Sequence, residues 1–330
     1  MKRHATARSV CSKNAGVISF RDIPMFDARQ ATGIYTICPT PFDDEGELDL
    51  ASIHSLVDFQ VEAGVKGLAV LGFLGEAHKL TGAERHSVAK TYVEASAGRL
   101  PVWVGVRALG LAGAIEQSRE AQDLGASAVF AAPLDGANDA QQFNYYQALA
   151  KAVDIPVIIH DFPGSFGTEV STEVVARLGV EGGVNLIKME EPPVGPKITR
   201  IRELAGDSMR IFGGLGGVYL LEELERGAVG TMTGFAFPEI LVAIYEHFST
   251  GDITAAATTF DRYCPLLRYE FQPKLGLALR KYIYQRRGII SSTYVRAPGM
   301  NIDHYTMAEV ERTVARVGLS LDVSGPQAII

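Results

Sequence analysis

Short apolar runs and longer segments of helical periodicity alternate eight times between residues 33 and 248. Strands that alternate with helices at this spacing pair in parallel, because each helix returns the chain to the same end of the sheet. Eight such units favour a closed barrel. The strands are predicted at residues 33–39, 67–71, 101–106, 127–131 and 155–160, around residue 188, and at 210–212 and 229–233.

A doubly wound open sheet is the alternative to a closed barrel. Such a sheet carries a glycine-rich dinucleotide loop after its first strand, whereas this chain has Pro39-Thr40-Pro41 there. The pattern therefore predicts an α/β protein built as a (β/α)8 TIM barrel over residues 32–250. Residues 251–330 are predicted to form a C-terminal helical segment packed on the barrel, and residues 1–31 a flexible N-terminal extension.

Composition restricts the kinds of partner. The net charge of the 330 residues is −7 and the basic residues are scattered, so nucleic acid is not an expected partner. No apolar run approaches the length of a membrane span. The three cysteines lack the spacing of a metal site or a disulfide framework, which favours a reducing, cytoplasmic location. The basic first twenty residues leave organellar targeting open.

One lysine lies near the end of a predicted core strand. Lys188 follows the apolar, partly β-branched run typical of a buried parallel strand. Because a lysine is costly to bury, its amine either reaches solvent or is a nucleophile whose pKa burial has lowered. Side chains alternate along a strand, so Lys188 and Glu190 share a face with Leu186.

The carboxyl ends of the strands are where a (β/α)8 barrel performs its chemistry. Lys188 is the only lysine at these predicted ends, and Glu190, Asp161 and His160 are the predicted catalytic acid–base groups around it. Arg107 is expected to help burial lower the pKa of the lysine, and Glu190 to oppose it. The residues predicted to bind substrate are Gly72, Phe73, Leu74, Gly75, Arg107, Asp135, Gly213, Gly214 and Thr233.

Two glycine-rich loops belong to that predicted binding set. Glycine lets the backbone approach a ligand closely, so loop 72–75 is expected to offer N–H groups to a substrate carboxylate. Loop 213–217 has a second interpretation as a phosphate cradle, of the kind found near the last two strands of sugar-phosphate barrels.

The segments GIYTICPTPFDDEGELD, GFLGEA, LIKMEE and GTMTGFAFPE occur in this order along the chain. Together they resemble the dihydrodipicolinate synthase and N-acetylneuraminate lyase family over residues 33–318. The resemblance implies a barrel with a C-terminal helical segment, in which Lys188 forms a Schiff base with a small 2-oxo acid. It further implies no metal or organic cofactor, and a homo-oligomer that is a dimer or a tetramer.

The chain departs from the synthases at residues that matter to their chemistry. Phe73 and Leu74 stand where the synthases carry a threonine pair, and Asp135 stands where they carry a catalytic tyrosine. The arginine that follows in that loop has no counterpart here. Similar departures mark the 2-keto-3-deoxy-arabonate dehydratase group, which this chain resembles in its Lys188-x-Glu190 pair and in which that glutamate is the natural acid–base group.

The expected function is therefore a Schiff-base lyase that dehydrates a 2-keto-3-deoxy sugar acid. One alternative is a pyruvate-releasing aldolase, or a condensing enzyme like the synthases. Another alternative is a non-catalytic protein that binds a 2-oxo acid. The residues alone separate dehydration from carbon–carbon cleavage poorly, because both reactions pass through an enamine.

Overall fold

The computed structural model describes residues 27–329, which form a closed barrel of parallel strands with helices around it. Each strand pairs with the next one along the chain, and β8 pairs with β1. The strands are β1 Gly33–Ile37, β2 Gly67–Val70, β3 Val102–Val106, β4 Ala128–Ala131, β5 Val157–Asp161, β6 Leu186–Met189, β7 Arg210–Gly213 and β8 Gly230–Thr233. The predicted (β/α)8 barrel is confirmed, and the open-sheet alternative is wrong.

Helices cover the outside of the barrel. The helices that alternate with the strands are α1 Leu50–Glu62, α2 Gly82–Ser96, α3 Leu111–Asp123, α4 Asp139–Ala152, α5 Pro163–Phe166, α6 Thr172–Arg177, α7 Val194–Ala205, α8 Leu220–Glu225 and α9 Pro238–Ser249. The C-terminal segment adds α10 Ile253–Glu270, α11 Gly276–Arg286 and α12 His304–Arg316. A capping box starts α2, where the Thr81 N–H donates to Glu84 Oε2 at 2.7 Å and the Glu84 N–H donates to Thr81 Oγ1 at 3.2 Å.

Aromatic rings fill the middle of the barrel. Tyr35 and Trp103 stack with their ring centroids 3.8 Å apart, and Phe212 meets them edge-on at 5.4 and 5.5 Å. Leu186 of β6 belongs to the same inner cluster. Lys188 is two residues further along β6 and faces the same interior, so its amine rises from an apolar floor towards the carboxyl mouth.

The N-terminal end of the barrel is closed by residues 27–31. Ala28 and Ala31 are buried in the inner cluster, and Arg210 at the start of β7 donates to the Ala31 carbonyl at 2.8 Å. These residues pack against the barrel and do not form part of a flexible extension. The folded domain therefore begins before the expected boundary at residue 32. The rest of that expected extension, residues 1–26, lies outside the described residues.

Two glycines at the end of β7 leave space for two buried carboxyl groups. A Cβ atom on Gly213 would lie 1.7 Å from an oxygen of Glu223, and one on Gly214 would lie 2.4 Å from the Glu190 side chain. Glu223 belongs to α8 and is fully buried, with the Gly214 backbone N–H beside its carboxyl group and no cation paired with it among residues 27–329. Burial raises the pKa of Glu223 to about 8, and the charge of Glu190 adds to that increase.

We expect Glu223→Gln to reduce the pH dependence of stability. A carboxyl group whose folded pKa is about 8, against an ordinary value of 4.5, contributes its full stability below pH 4.5 and loses it as the pH rises towards 8. Glutamine has nearly the same shape and does not ionise. The Tm of the variant should therefore fall less than that of the wild type between about pH 5 and pH 8.

The neighbouring Glu222 is exposed and provides the matched control. Glu222→Gln should follow the wild-type curve of Tm against pH. Parallel curves for the wild type and Glu223→Gln would contradict a neutral, buried Glu223.

Candidate active site

β5 and β6 bring three polar side chains together inside the barrel mouth. Lys188 Nζ forms an ion pair with Glu190 Oε2 and lies 3.1 Å from His160 Nε2. His160 Nε2 also lies 3.2 Å from Glu190 Oε2. The Leu215 N–H, in the loop after β7, donates to Glu190 Oε1 at 3.1 Å. Each of the three side chains therefore contacts the other two, and the Leu215 N–H fixes the orientation of the Glu190 carboxylate.

Burial controls the charges of this cluster. It lowers the pKa of Lys188, although Glu190 acts in the opposite direction. Burial also lowers the pKa of His160, to about 4, and the Lys188 charge adds to that effect, so the imidazole is neutral near pH 7. Burial alone would raise the pKa of Glu190, but Lys188 and His160 outweigh it and lower that pKa to about 2. The site thus contains a lysine, a carboxylate and a neutral imidazole in direct contact.

Aromatic side chains shield the cluster from water. The Phe162 ring centroid lies 6.0 Å from Lys188 Nζ, and the Phe166 ring meets His160 edge-on at 4.9 Å. Phe130 contacts the same imidazole from the barrel wall, with centroids 5.4 Å apart. In a surrounding this apolar, a charge on the amine is poorly solvated, which favours the free base.

A cavity of about 300 Å3 opens over the cluster. His160 reaches its wall, whereas Lys188 and Glu190 lie deeper, with exposures of 2% and 5%. Four of the predicted binding residues line the cavity, namely Gly72, Phe73, Arg107 and Asp135. The Arg107 guanidinium lies over the Phe166 ring at 5.0 Å. A small polar molecule that enters the cavity meets these side chains before it reaches the amine.

The loop after β2 is held rigidly beside the cavity. Leu71 adopts a left-handed φ of 57°, the Gly75 N–H donates to the Gly72 carbonyl at 3.1 Å, and Thr40 Oγ1 donates to the Gly75 carbonyl at 2.6 Å. Glu76 ends this loop and is fully buried between Lys79 and Lys281, at 2.9 and 2.5 Å. Glu76 therefore braces the loop.

Asp161 and Thr233 are not brought to the amine. Asp161 follows His160 directly, so its side chain leaves the opposite face of β5, where it lies 2.8 Å from Lys197 Nζ. Thr233 Oγ1 accepts the Gly216 N–H at 2.8 Å. Gly213 and Gly214 have no side chains, and the space beside them is occupied by the carboxyl groups of Glu223 and Glu190.

One buried cation that acts on the lysine amine was missed by the sequence reasoning. Arg280 of α11 is 3% exposed and donates through Nε to Glu270 Oε1 at 2.7 Å and through Nη2 to the Gly234 carbonyl at 2.5 Å. Its charge lowers the pKa of Lys188, the effect that the sequence reasoning assigned to Arg107. Nothing in the helical pattern of α11 distinguishes this arginine from its neighbours.

Within residues 27–329, no three His, Cys, Asp or Glu side chains converge in a way that would hold a metal ion. In the same part of the chain, every helix is too short or too polar to cross a bilayer.

Known proteins share this fold over most of the chain. The model of the dihydrodipicolinate synthetase family matches residues 30–317. A solved dihydrodipicolinate synthase from Rhodopseudomonas palustris is 35% identical, with a TM-score of 0.83 over 88% of this chain and 99% of that one.

Two relatives have names that refer to different activities. L-2-keto-3-deoxyarabonate dehydratase of Azospirillum brasilense is 34% identical, over 84% of this chain and 92% of that protein. A probable 2-dehydro-3-deoxy-D-pentonate aldolase of Escherichia coli is 29% identical, over 82% of this chain and 92% of that protein. Matches of this extent settle the family, as the sequence motifs indicated: the chain belongs to the dihydrodipicolinate synthetase family and is a lyase.

Proposed function

We propose that this lyase dehydrates a 2-keto-3-deoxy sugar acid through a Schiff base on Lys188. The observation that carries the proposal is the buried contact of the lysine amine with Glu190 and His160 beneath the cavity. An amine attacks a carbonyl only as a free base, and burial lowers its pKa in the required direction. The proposed reaction needs no cofactor, because the iminium ion formed from the amine accepts the electrons released when a C3 proton leaves.

The proposed reaction uses the Lys188 amine and the Glu190 carboxylate in turn. The Lys188 amine adds to C2 of the 2-oxo acid, and loss of water from the adduct gives an iminium ion. Glu190 then takes a proton from C3 to give an enamine, which expels the C4 hydroxyl as water when Glu190 returns that proton. A second water molecule hydrolyses the C2 iminium, which frees the lysine and leaves one water eliminated overall.

Asp135 supports dehydration over carbon–carbon cleavage. Cleavage needs a group that removes the C4 hydroxyl proton, and the tyrosine to which the family resemblance assigns this role is replaced by Asp135. The aspartate side chain is shorter than that of tyrosine, so it extends less far from the same loop position. The dehydratase name of the A. brasilense relative supports the same choice.

The second candidate is a pyruvate-releasing aldolase, which the name of the E. coli relative favours. A synthase-like condensation is less well supported, because Phe73 and Leu74 replace the threonine pair. Incubation with 2-keto-3-deoxy acids separates the candidates by product. Release of pyruvate would overturn the dehydratase assignment.

We also propose a cytoplasmic homo-oligomer, a dimer or a tetramer, as the family resemblance implies. Light scattering on the purified chain tests the assembly, and a monomer at micromolar concentration would contradict it.

Lys188→Ala and Glu190→Gln should separate covalent capture from turnover. Lys188→Ala should lose borohydride trapping with pyruvate and all dehydration. Glu190→Gln keeps the nucleophile but loses the base, so it should still be trapped while turnover falls by roughly 10²- to 10⁴-fold. Intact mass and product formation give the two readouts.

The exposed Lys151 offers the control Lys151→Ala, which should behave as the wild type. Normal turnover by Glu190→Gln would contradict its role as the base.

The pH dependence of trapping should report the buried amine. Burial lowers the Lys188 pKa, so half-maximal trapping should occur below pH 10.5, the ordinary value for lysine. Because Glu190 opposes this decrease, Glu190→Gln should move the midpoint to still lower pH. A midpoint at or above the ordinary value, or an upward shift in the variant, would argue against a desolvated amine.

A further inference from the structure

Arg280 is fixed in place by two of its three guanidinium nitrogens. Nε donates to Glu270 Oε1, and Nη2 donates to the Gly234 carbonyl. Glu270 is held in turn, because its Oε2 accepts the Ala236 N–H at 3.0 Å. The third nitrogen, Nη1, is buried without a hydrogen-bond partner among residues 27–329. A rigid guanidinium with one free, desolvated N–H group has an unfilled position for an acceptor.

That free nitrogen points past Gly234 into the barrel mouth. A Cβ atom built on Gly234 would lie 2.1 Å from Arg280 Nη1, so any side chain at this position would displace the guanidinium. Gly234 follows Met232 by two residues, and Met232 belongs to the inner cluster. Gly234 therefore faces the interior, and Nη1 occupies the space that its missing side chain leaves there.

The positive charge of Arg280 acts on the Lys188 amine. Among the charged groups that act on the amine, Arg280 is the one that lowers its pKa, in the same direction as burial. A 2-oxo acid carries its carboxylate on the carbon next to C2. Once C2 is bonded to Lys188 Nζ, the carboxylate has to lie within a few bond lengths of that nitrogen, in a surrounding that has little water to solvate it.

The other polar groups near the mouth provide no comparable side-chain partner. Phe73 and Leu74 have no hydroxyl groups to donate. Arg85 already donates to the Gly105 carbonyl at 2.9 Å and to Gln117 Oε1 at 3.3 Å. Arg107 lies over Phe166 at the outer part of the cavity. Of these side chains, Arg280 is the one with a free N–H group on the inner side of the site, in addition to the backbone N–H groups that loop 72–75 is expected to offer.

We propose that Arg280 Nη1 binds the C1 carboxylate of the 2-oxo acid held on Lys188. This inference rests on the proposed Schiff-base function and adds the residue that selects a 2-oxo acid over a neutral carbonyl compound. A charge-assisted hydrogen bond to a carboxylate satisfies the unfilled donor. Gly234 is then required for specificity, because it lets the guanidinium reach the substrate.

Borohydride trapping with two small carbonyl compounds tests the proposal. Pyruvate has the carboxylate, and acetone has a methyl group in its place, while both present a carbonyl to Lys188. In Arg280→Met, the pyruvate concentration for half-maximal trapping should rise by about 10- to 100-fold, the range expected when a charged hydrogen bond is lost. With each protein measured above its own midpoint pH for trapping, where the amine is a free base, the acetone concentration should stay within about two-fold, because acetone makes no such bond. Intact mass gives the fraction trapped.

Arg→Lys changes at two buried arginines, one in α11 and one directly after it, give a matched comparison. Arg280→Lys keeps the charge but loses the planar fork, so pyruvate trapping should weaken by an intermediate factor. Arg287 directly follows α11 and is also buried, but its nitrogens already donate to Glu239 Oε1 and to the Ala236 and Gly325 carbonyls. Arg287→Lys should therefore leave the ratio of pyruvate to acetone trapping unchanged. If Arg280→Met does not fold, the Arg280→Lys and Arg287→Lys pair decides the question.

The outcomes distinguish this inference from the proposed function. If the wild type is not trapped by pyruvate, or if Lys188→Ala is still trapped, the Schiff-base function fails first. If the wild type is trapped through Lys188 but both Arg280 variants keep the wild-type response to pyruvate, the carboxylate site is wrong and the function stands. Equal losses for pyruvate and acetone would also overturn the site, because they would show a general disturbance.

Discussion

The buried ion pair of Lys188 and Glu190 is the constraint on which the rest of the site depends. Removing either charge from such a pair leaves the other unpaired in an apolar surrounding, which typically costs about 3–5 kcal/mol. The barrel stabilises the pair with the Leu215 N–H and with a neutral His160, whose imidazole touches both charges. The aromatic floor below and the phenylalanines above keep water out, so the electrostatic interactions stay strong.

Glycines at the rim let polar side chains occupy space inside the barrel wall. Gly214 leaves room for Glu190, Gly213 for Glu223 and Gly234 for Arg280. In each case a Cβ atom would lie within 2.4 Å of the polar side chain, so a substitution as small as alanine disturbs the arrangement. The glycine-rich run after β7 therefore has a packing function here, which accounts for it without the phosphate cradle that its composition also allows.

Periodicity explains why some of this was predictable and some was not. Eight strand–helix repeats define the barrel, and the two-residue spacing of Lys188 and Glu190 places both on one strand face. His160 and Asp161 are adjacent, so only one of them faces the interior, and sequence alone does not say which. The structure selects His160 through its register with Lys188. Arg280 reaches Gly234 across 46 residues, a contact that no local pattern reports.

Charge balance in the buried site favours proton removal from C3. The resting cluster pairs one cation with one carboxylate, and in the proposed reaction the iminium ion replaces the ammonium without changing that balance. When Glu190 accepts the C3 proton, the iminium becomes a neutral enamine and the carboxylate becomes a neutral acid. Two opposite charges thus disappear together, which an apolar surrounding promotes because it solvates ions poorly. The neutral acid then lies beside the substrate with a proton to give, and departure of the C4 hydroxyl as water restores the original pair of charges.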